Sequence, residues 1–275
     1  MSDQATKASH FLDLHRREAR DGLLLLPNPW DAGSARVLAS LGFEALATTS
    51  GGFAATLGRL DGSVTRDEAI AHCATIVEAT DLPVSADLEN CFADDPAGVA
   101  ETIALARRAG LAGCSIEDFS GDPSAPIYDL GLAAERVAAA AETAHEGSVH
   151  LVLTARAENH LHGKDDLADT IARLQRYQQA GADVLYAPGL TRPQDISEVL
   201  QAVDRPVNVL ARPGAPSVAE LAQLGVSRVS VGGAFALAAL GELVVAAEEL
   251  RSQGTYSFWE RAATGGRAAR AAFPG

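Results

Sequence analysis

Several common sequence features are absent or scarce in this chain, and each absence excludes a class of protein. No apolar run approaches the ~20 residues that a membrane-spanning helix needs. Basic residues are outnumbered, with 22 Lys and Arg against 36 Asp and Glu and a net charge of −14. Because nucleic acids and anionic membranes both attract a basic face, we expect neither as a partner.

Cysteines and aromatic residues are also few. The three cysteines, Cys73, Cys91 and Cys114, form no C-x-x-C pair and no even framework. This favours reduced thiols and a cytoplasmic location, and the N-terminal residues contain no secretory signal pattern. Aromatic residues make up only 5% of the chain, whereas apolar residues in total make up 47%. That content supplies a large core and excludes global disorder.

The length of 275 residues suits one α/β barrel, a fold that typically needs about 250 residues. No shift in composition marks a second domain, so we predict a single domain over residues 1–275. The stretch 250–275 follows the last predicted barrel element, and we expect it to be a C-terminal helical extension or a tail.

A recurring unit dominates the sequence: an amphipathic helix, a glycine turn and a compact apolar strand. Glycines at 42, 110, 181 and 225 follow predicted helices and suit their left-handed caps. Continuous apolar strands indicate a parallel sheet covered on both faces, and eight of them favour a closed (β/α)8 barrel of TIM type. An open dinucleotide-binding sheet would need a Gly-rich turn after the first strand, which reads Pro27-Asn28-Pro29-Trp30 instead. The predicted strands are 23–26, 45–49, 83–86, 113–116, 150–154, 184–186, 206–210 and 228–231.

Acidic residues concentrate at the ends of the third and fourth predicted strands. Asp87 and Glu89 stand two residues apart, and Glu117 and Asp118 end the neighbouring strand. Carboxylates that converge in one barrel mouth repel each other unless a cation or protons neutralise them. Oxygen ligands without nearby His or Cys favour Mg²⁺, with Mn²⁺ as an alternative. The competing interpretation is a set of separate salt bridges.

Arg156 ends the fifth predicted strand, where a guanidinium suits bidentate binding of a substrate carboxylate. The alternative is a structural ion pair with Glu158 or Glu117. Asp61 fits either a turn residue or a contact to metal-bound water. Five histidines show no spacing typical of metal ligands: His10, His15, His72, His145 and His150.

A small-residue turn, Ser50-Gly51-Gly52, follows the second predicted strand. Its backbone N–H groups suit an anionic oxygen, although a plain tight turn would have the same sequence. Trp30 after the first strand and Asn208 in the seventh are further candidates for substrate contact.

Taken together, the strand ends resemble the isocitrate lyase/phosphoenolpyruvate mutase superfamily, on the branch of 2-methylisocitrate lyase and oxaloacetate decarboxylase. The resemblance runs in order over about residues 10–250. The matching segments are Asn28-Pro29-Trp30-Asp31-Ala32-Gly33-Ser34-Ala35-Arg36, Thr49-Ser50-Gly51-Gly52, Asp87-Leu88-Glu89-Asn90, Ser115-Ile116-Glu117-Asp118, Thr154-Ala155-Arg156 and Tyr177-Gln178-Gln179-Ala180-Gly181-Ala182-Asp183.

The resemblance implies a Mg²⁺-dependent barrel that acts on small 2-oxo or 2-hydroxy acids through an enolate. Asp87 would ligate the metal, and Glu89 and Glu117 would hold its waters. The Ser50–Gly52 turn would bind the carboxylate of the 2-oxo acid, and Arg156 would contact the substrate. The family commonly forms tetramers with exchanged C-terminal helices, so a homo-oligomer, dimer or tetramer, is expected.

The departures from the family concern the proton donor. Lyases of the family carry a Lys-(Lys/Arg)-Cys-Gly-His signature after the Ile-Glu-Asp segment, but residues 119–129 contain no Cys, Lys or His. A glutamate expected after the sixth strand is replaced by Ala187-Pro188-Gly189. Cys91 is either a relocated acid or a buried thiol, and Tyr128 is another candidate donor.

The favoured function is a Mg²⁺-dependent carbon–carbon lyase. Its substrate would be a small 2-oxo or 2-hydroxy di- or tricarboxylate, cleaved like isocitrate or methylisocitrate or decarboxylated like oxaloacetate. One alternative is C–P bond chemistry on phosphonopyruvate, which the missing loop lysine disfavours. Another is a non-catalytic binder of 2-oxo acids.

Overall fold

A computed structural model describes residues 3–16 and 22–273 of the chain. Eight strands alternate with helices along almost the whole length. The strands are β1 (Leu24–Leu26), β2 (Leu46–Ala47), β3 (Val84–Asp87), β4 (Gly113–Glu117), β5 (Val152–Arg156), β6 (Val184–Tyr186), β7 (Val207–Leu210) and β8 (Arg228–Ser230). The helices are α1 (Asp3–His15), α2 (Ala32–Ser40), α3 (Ser50–Thr56), α4 (Arg66–Glu78), α5 (Pro96–Arg108), α6 (Leu130–Ala144), α7 (Leu167–Gln179), α8 (Pro193–Ala202), α9 (Val218–Leu224), α10 (Ala234–Gln253) and α11 (Trp259–Ala272).

The eight strands form one parallel sheet in the order β1-β8-β7-β6-β5-β4-β3-β2. The two ends of this order approach each other, because the Ala47 N–H donates to the Pro27 carbonyl oxygen at 3.1 Å. The sheet therefore nearly closes into a barrel with helices outside it, and the predicted (β/α)8 fold is confirmed. Each predicted strand is present, with ends that differ by at most two residues.

Local sequence signals explain most helix boundaries. Asp95 caps α5 by accepting hydrogen bonds from the backbone N–H groups of Ala97 and Gly98 at 3.0 Å, as the Asp-Asp-Pro sequence predicts. Ser217 and Glu220 form a capping box at the start of α9. The four glycines that follow predicted helices all have positive φ, between 85° and 107°.

Helix α10 follows β8, and the predicted extension over 250–275 contains the end of α10 and helix α11, which packs against α2. Ala236 is the one buried residue that α10 contributes. Large apolar side chains stand exposed along the rest of this helix, including Leu237 and Leu243 at 64% and 63% exposure. Of the helices that the structure describes, none is both long enough and apolar enough to cross a membrane.

Helix α1 covers the amino-terminal end of the barrel. Phe11 and Leu14 are buried there against Leu24, Val152 and other strand residues. The fit is tight at Gly113, where a Cβ atom would lie 2.7 Å from the Val152 carbonyl oxygen and 2.9 Å from the Phe11 ring. One end of the barrel is thus sealed, and the carboxyl ends of the strands are left to form a site.

Candidate active site

A cavity of about 720 Å³ opens at the carboxyl ends of the strands. This volume lies within the range of small-molecule sites, about 300–1,000 Å³. Its mouth is lined by Ser50, Gly51, Asp61, Asp87 and Arg156. The cavity continues from the mouth into the barrel interior. These deeper residues include Ala47, Ser85, Ser115, Thr154, Tyr186, Arg228 and Ser230.

Arg156 lies at the centre of the acidic mouth and contacts three carboxylates. Its Nη1 donates to Asp87 Oδ1 at 2.9 Å, its Nε donates to Glu158 Oε1 at 2.8 Å, and its Nη2 lies 3.1 Å from Glu117 Oε2. The guanidinium also lies over the Tyr186 ring, 5.2 Å from its centroid. The carboxylates of strands β3, β4 and the segment after β5 therefore converge, as the sequence predicts.

Negative charge exceeds positive charge at this mouth. Burial, together with the neighbouring carboxylates of Asp87 and Asp61, raises the pKa of Glu89 to about 7. Burial also raises the pKa of Glu117 well above its usual value, with Glu158 adding to the effect and Arg156 opposing it. One guanidinium thus does not neutralise all of these carboxylates. A bound cation would compensate the remaining negative charge.

The segment after β3, which carries Glu89, has an unusual backbone. Glu89, Cys91 and Phe92 have positive φ values of 51°, 60° and 55°, a region that non-glycine residues adopt at a cost of about 1–3 kcal/mol each. The buried Arg136 of α6 holds this turn, because its Nη2 donates to the carbonyl oxygens of Asn90 and Ala93. Such strain is typical of functional segments.

Asp118, the residue after β4, belongs to a separate buried network. It accepts hydrogen bonds from the Tyr177 hydroxyl at 2.5 Å, from Arg173 Nη1 at 3.1 Å and from the Glu158 N–H at 2.8 Å. Burial raises the pKa of Asp118, and the three donors work against that rise. We interpret Asp118 as the support that fixes Glu158 and the start of the 119–129 loop.

The predicted site residues at the mouth are brought together. Ser50, Gly51, Asp61 and Asp87 line the cavity. The backbone N–H and the hydroxyl of Ser50 both donate to Asp87 Oδ2, at 3.2 and 3.1 Å. In this arrangement Ser50 orients the carboxylate predicted to ligate the metal, and its donors are not free for a substrate carboxylate.

Other predicted residues lie away from the cavity lining. Cys91 is fully buried in the core, where burial raises its pKa to about 12. Asn208 is buried below the mouth and bonded to Ser230 and Arg228. Trp30 and Gly52 pack together, and a Cβ on Gly52 would lie 3.1 Å from the Trp30 Cβ. None of these four is among the lining residues of the described cavity, and neither are the predicted metal residues Glu89 and Glu117.

Tyr128, the other candidate donor, is also turned away. Its hydroxyl donates to Asp94, its ring lies under the Arg136 guanidinium, and its pKa is raised to about 12, first by burial. Neither candidate donor named from the sequence therefore reaches the cavity in this arrangement.

Two features were not foreseen from the sequence. Tyr186 and Arg228 line the cavity. Alternate residues along a strand lie on the same face of the sheet. This rule could have indicated such cavity-facing residues, because Arg228 and Ser230 lie on either side of Val229. The second feature is a group of His145, His150 and Asp183 at the amino-terminal end of the barrel.

That group has metal-ligand geometry without the spacing that usually announces it. Its ligand atoms lie within 4.8 Å of one another. His145 Nε2 and His150 Nε2 lie 2.9 and 3.0 Å from the two oxygens of Asp183. Among the described residues it is the one group of three with this convergence. It stands at the end of the barrel opposite the mouth, so it is not the predicted magnesium site.

The mouth nevertheless fits a hard divalent cation by its chemistry. Asp61, Asp87, Glu89 and Glu117 offer only oxygen donors, which Mg²⁺ and Mn²⁺ prefer. The pKa values of Glu89 and Glu117 are raised first by burial and further by neighbouring carboxylates, and a bound cation would oppose both shifts. Of the predicted ligands Asp87, Glu89 and Glu117, Asp87 alone lines the cavity, and its two oxygens accept hydrogen bonds from Arg156 and Ser50.

A nearly closed parallel barrel with an acidic mouth defines the class: a TIM-barrel enzyme with its site at the carboxyl ends of the strands. Comparison with known proteins gives the family. The model of the phosphoenolpyruvate phosphomutase family matches residues 11–251. The chain belongs to the phosphoenolpyruvate mutase/isocitrate lyase superfamily, as its strand ends predict.

Three relatives illustrate the range of the family. A structure from Burkholderia cenocepacia, provisionally assigned as a lyase or mutase, is 53% identical, with a TM-score of 0.91 over 94% of this chain and 93% of that one. An uncharacterised protein of Mycobacterium tuberculosis is 34% identical over 81% of each chain. An oxaloacetate decarboxylase of Pseudomonas putida is 28% identical over 77% of this chain and 74% of its own.

Proposed function

We propose that the protein is a Mg²⁺-dependent carbon–carbon lyase, with Mn²⁺ as a substitute, acting on a small 2-oxo or 2-hydroxy di- or tricarboxylate. The observation that carries this proposal is the cluster of carboxylates around Arg156 at the mouth of a 720 Å³ cavity. When bound, the cation would stabilise negative charge that develops on substrate oxygens as a C–C bond breaks. The likeness to an oxaloacetate decarboxylase supports the same reaction class.

The chain's own residues would position the acid. Arg156 has five N–H donors, of which three point at Glu158, Asp87 and Glu117. The other two remain for a substrate carboxylate. Ser50 would act indirectly, because its two donors hold Asp87 in place.

Protonation of the enolate is the step for which the chain offers fewest groups. Residues 119–129 supply no Cys, Lys or His, and Cys91 and Tyr128 lie off the cavity. Among the described cavity residues, Tyr186 is a hydroxyl donor beside Arg156, with a pKa that burial raises to about 12. We propose that Tyr186 or water delivers the proton to the substrate carbon.

The test is a panel of acids with and without divalent metal. Isocitrate, methylisocitrate and oxaloacetate are incubated with the enzyme, and pyruvate, glyoxylate and succinate are followed by NMR. We expect turnover of at least one acid that stops with a chelator and returns with Mg²⁺. Asp87→Ala should lower kcat/KM at least about 1,000-fold, roughly 4 kcal/mol of transition-state stabilisation.

Glu101→Ala is the matched control, because Glu101 is an exposed acid paired with Arg66 on the barrel surface. It should keep wild-type activity. Metal-independent turnover, or full activity of Asp87→Ala, would remove the cation from the mechanism.

C–P chemistry is the second candidate, favoured by the family match to phosphoenolpyruvate phosphomutase. It is disfavoured by the absence of lysine from residues 119–129. Turnover of phosphonopyruvate, with none of the carboxylic acids consumed, would reverse this ranking. Metal-dependent binding of 2-oxo acids without any turnover would instead indicate a binding protein.

We also propose that the protein is a cytoplasmic homo-oligomer in which α10 packs against another copy. The helix has apolar residues exposed on most of its surface, and such an area on one chain normally meets a partner. Light scattering after size-exclusion chromatography should give a dimer or tetramer. Leu243→Glu should shift it toward the monomer; a wild-type monomer at micromolar concentration would contradict the proposal.

A further inference from the structure

The floor of the cavity holds a second guanidinium, and its hydrogen-bond partners are all neutral. Arg228 on β8 is only 4% exposed. Its Nε donates to Asn208 Oδ1 at 2.9 Å, and its Nη1 donates to Thr154 Oγ1 at 3.2 Å. The same Nη1 donates to His15 Nε2 at 3.1 Å.

The tautomer of His15 follows from these contacts. His15 Nδ1 lies 2.7 Å from the Phe11 carbonyl oxygen, so it must carry the proton, and Nε2 is free to accept from Arg228. Burial and the nearby guanidinium lower the pKa of His15 to about 3. His15 therefore supplies a lone pair to Arg228 and no counter-charge.

No acidic side chain among residues 3–16 and 22–273 forms an ion pair with Arg228. Burial without a carboxylate partner lowers its pKa to about 10. A buried cation without a counter-charge is costly, and buried charges are normally paired with an opposite charge. Its second terminal nitrogen, Nη2, has no hydrogen-bond partner within the described parts of the chain, and it is not one of their sealed unpartnered atoms.

The cavity reaches this guanidinium because the barrel interior is filled by small side chains. Interiors of TIM barrels are normally packed with bulky branched residues. Here Ala47, Ser85 and Ser115 stand at cavity-lining positions of β2, β3 and β4, and Arg228 lines the same cavity. A ligand bound to Arg156 at the mouth thus has open space between it and a second cation.

We propose that Arg228 forms a second anion subsite, which binds the distal carboxylate of the substrate. This proposal rests on the proposed function, because it takes Arg156 and the acidic mouth as the site of the reacting 2-oxo or 2-hydroxy acid group. The two guanidiniums together select acids with carboxylates at both ends. A monocarboxylate such as pyruvate occupies the mouth and leaves the Arg228 guanidinium at the floor without a counter-charge.

The experiment compares two ligands on one protein by calorimetry in Mg²⁺. Pyruvate has only the 2-oxo acid group, whereas 2-oxoglutarate adds a distal carboxylate. Wild-type protein should bind 2-oxoglutarate at least about tenfold more tightly than pyruvate, since a charge-assisted pair is a strong contact. Equal affinities in the wild-type protein would overturn the proposal without any variant.

Arg228→Gln should raise the Kd for 2-oxoglutarate at least about tenfold and leave the Kd for pyruvate within about twofold. Arg228→Lys keeps the charge and serves if the glutamine variant does not fold; it should show a smaller loss with the same ligand selectivity. His15→Gln is the control, because His15 touches the same guanidinium but does not line the cavity. An equal loss for both ligands in the Arg228 variants would mean a purely structural role.

Failure of the lyase proposal can be told apart from failure of this one. A wild-type preference for 2-oxoglutarate that Arg228→Gln abolishes supports the subsite even if no acid in the panel turns over. Turnover of a dicarboxylate whose KM is unchanged in Arg228→Gln would contradict the subsite and leave the lyase proposal in place.

Discussion

Buried carboxylates at the two ends of the barrel have pKa values that are shifted in opposite directions. At the mouth, Glu89 and Glu117 share one guanidinium with other acids, and burial with mutual repulsion raises their pKa values. At the amino-terminal end, Asp183 also loses hydration by burial. There, hydrogen bonds from His145, His150 and the Leu153 N–H hold its pKa well below the usual range.

The difference separates a binding site from a structural contact. Every Asp183 oxygen has a donor, so this carboxylate stabilises the fold by joining the end of α6 to the starts of β5 and β6. The mouth carboxylates share one guanidinium, and burial raises the pKa values of Glu89 and Glu117, so their charged forms cost stability that a bound cation would restore. The predictions below test this contrast.

The largest effect on stability is expected at the amino-terminal end. Asp183→Ala leaves the buried Leu153 N–H without its acceptor and separates two histidines from their partner. We expect a loss of about 3 kcal/mol in the free energy of unfolding, measured in urea at pH 7. The exposed Asp204 is the control, and Asp204→Ala should cost under about 0.5 kcal/mol. A loss of that small size for Asp183→Ala would show that its bonds contribute little.

Divalent metal should stabilise the protein through the mouth. At about 100 times its Kd, Mg²⁺ should raise the free energy of unfolding by about 2.7 kcal/mol. Asp87→Ala should lose this increment, because Asp87 is the predicted ligand that Ser50 orients. Asp183→Ala should show the same Mg²⁺-dependent increase, starting from a lower free energy of unfolding. If Asp183→Ala lost it instead, the histidine group would be the main cation site.

The smallest effect is the pH dependence that Glu89 contributes in metal-free protein. Its folded pKa of about 7 lies above the ordinary glutamate value of 4.5, so the folded state binds more protons between these values. The contribution is therefore fully present below about pH 4.5 and lost as pH rises through 7. Because Glu89 is partly exposed, we expect a difference of only about 1 kcal/mol.

The measurement is urea unfolding of wild type and Glu89→Gln at pH 5 and pH 8 in a chelator. The free energy of unfolding of the wild type should decrease relative to that of Glu89→Gln as the pH rises. Asp183 has the opposite sign, since its lowered pKa gives stability that is present above about pH 4 and lost in stronger acid. A wild type that gained stability relative to Glu89→Gln at pH 8 would show that the mouth carries no excess of negative charge.

The strand pattern and the acids at the strand ends were predictable because both depend on local spacing. Apolar runs between glycine-capped helices identify parallel strands, and residues that end such strands must meet at one face of a barrel. Asp87, Glu117 and Arg156 were found in this way. Cys91 and Tyr128 show the limit: each is near the site in sequence, but a left-handed turn and a bond to Asp94 direct them elsewhere.

The sequence by itself determined the barrel, the superfamily and the residue types at its mouth. Only the tertiary structure decided which charges find partners. Asp183 meets two histidines 33 and 38 residues away, Arg156 meets Asp87 at a separation of 69, and Arg228 meets His15 at a separation of 213. Whether a buried charge is neutralised depends on groups that closure of the barrel brings within a few ångströms, and no local pattern records those distances.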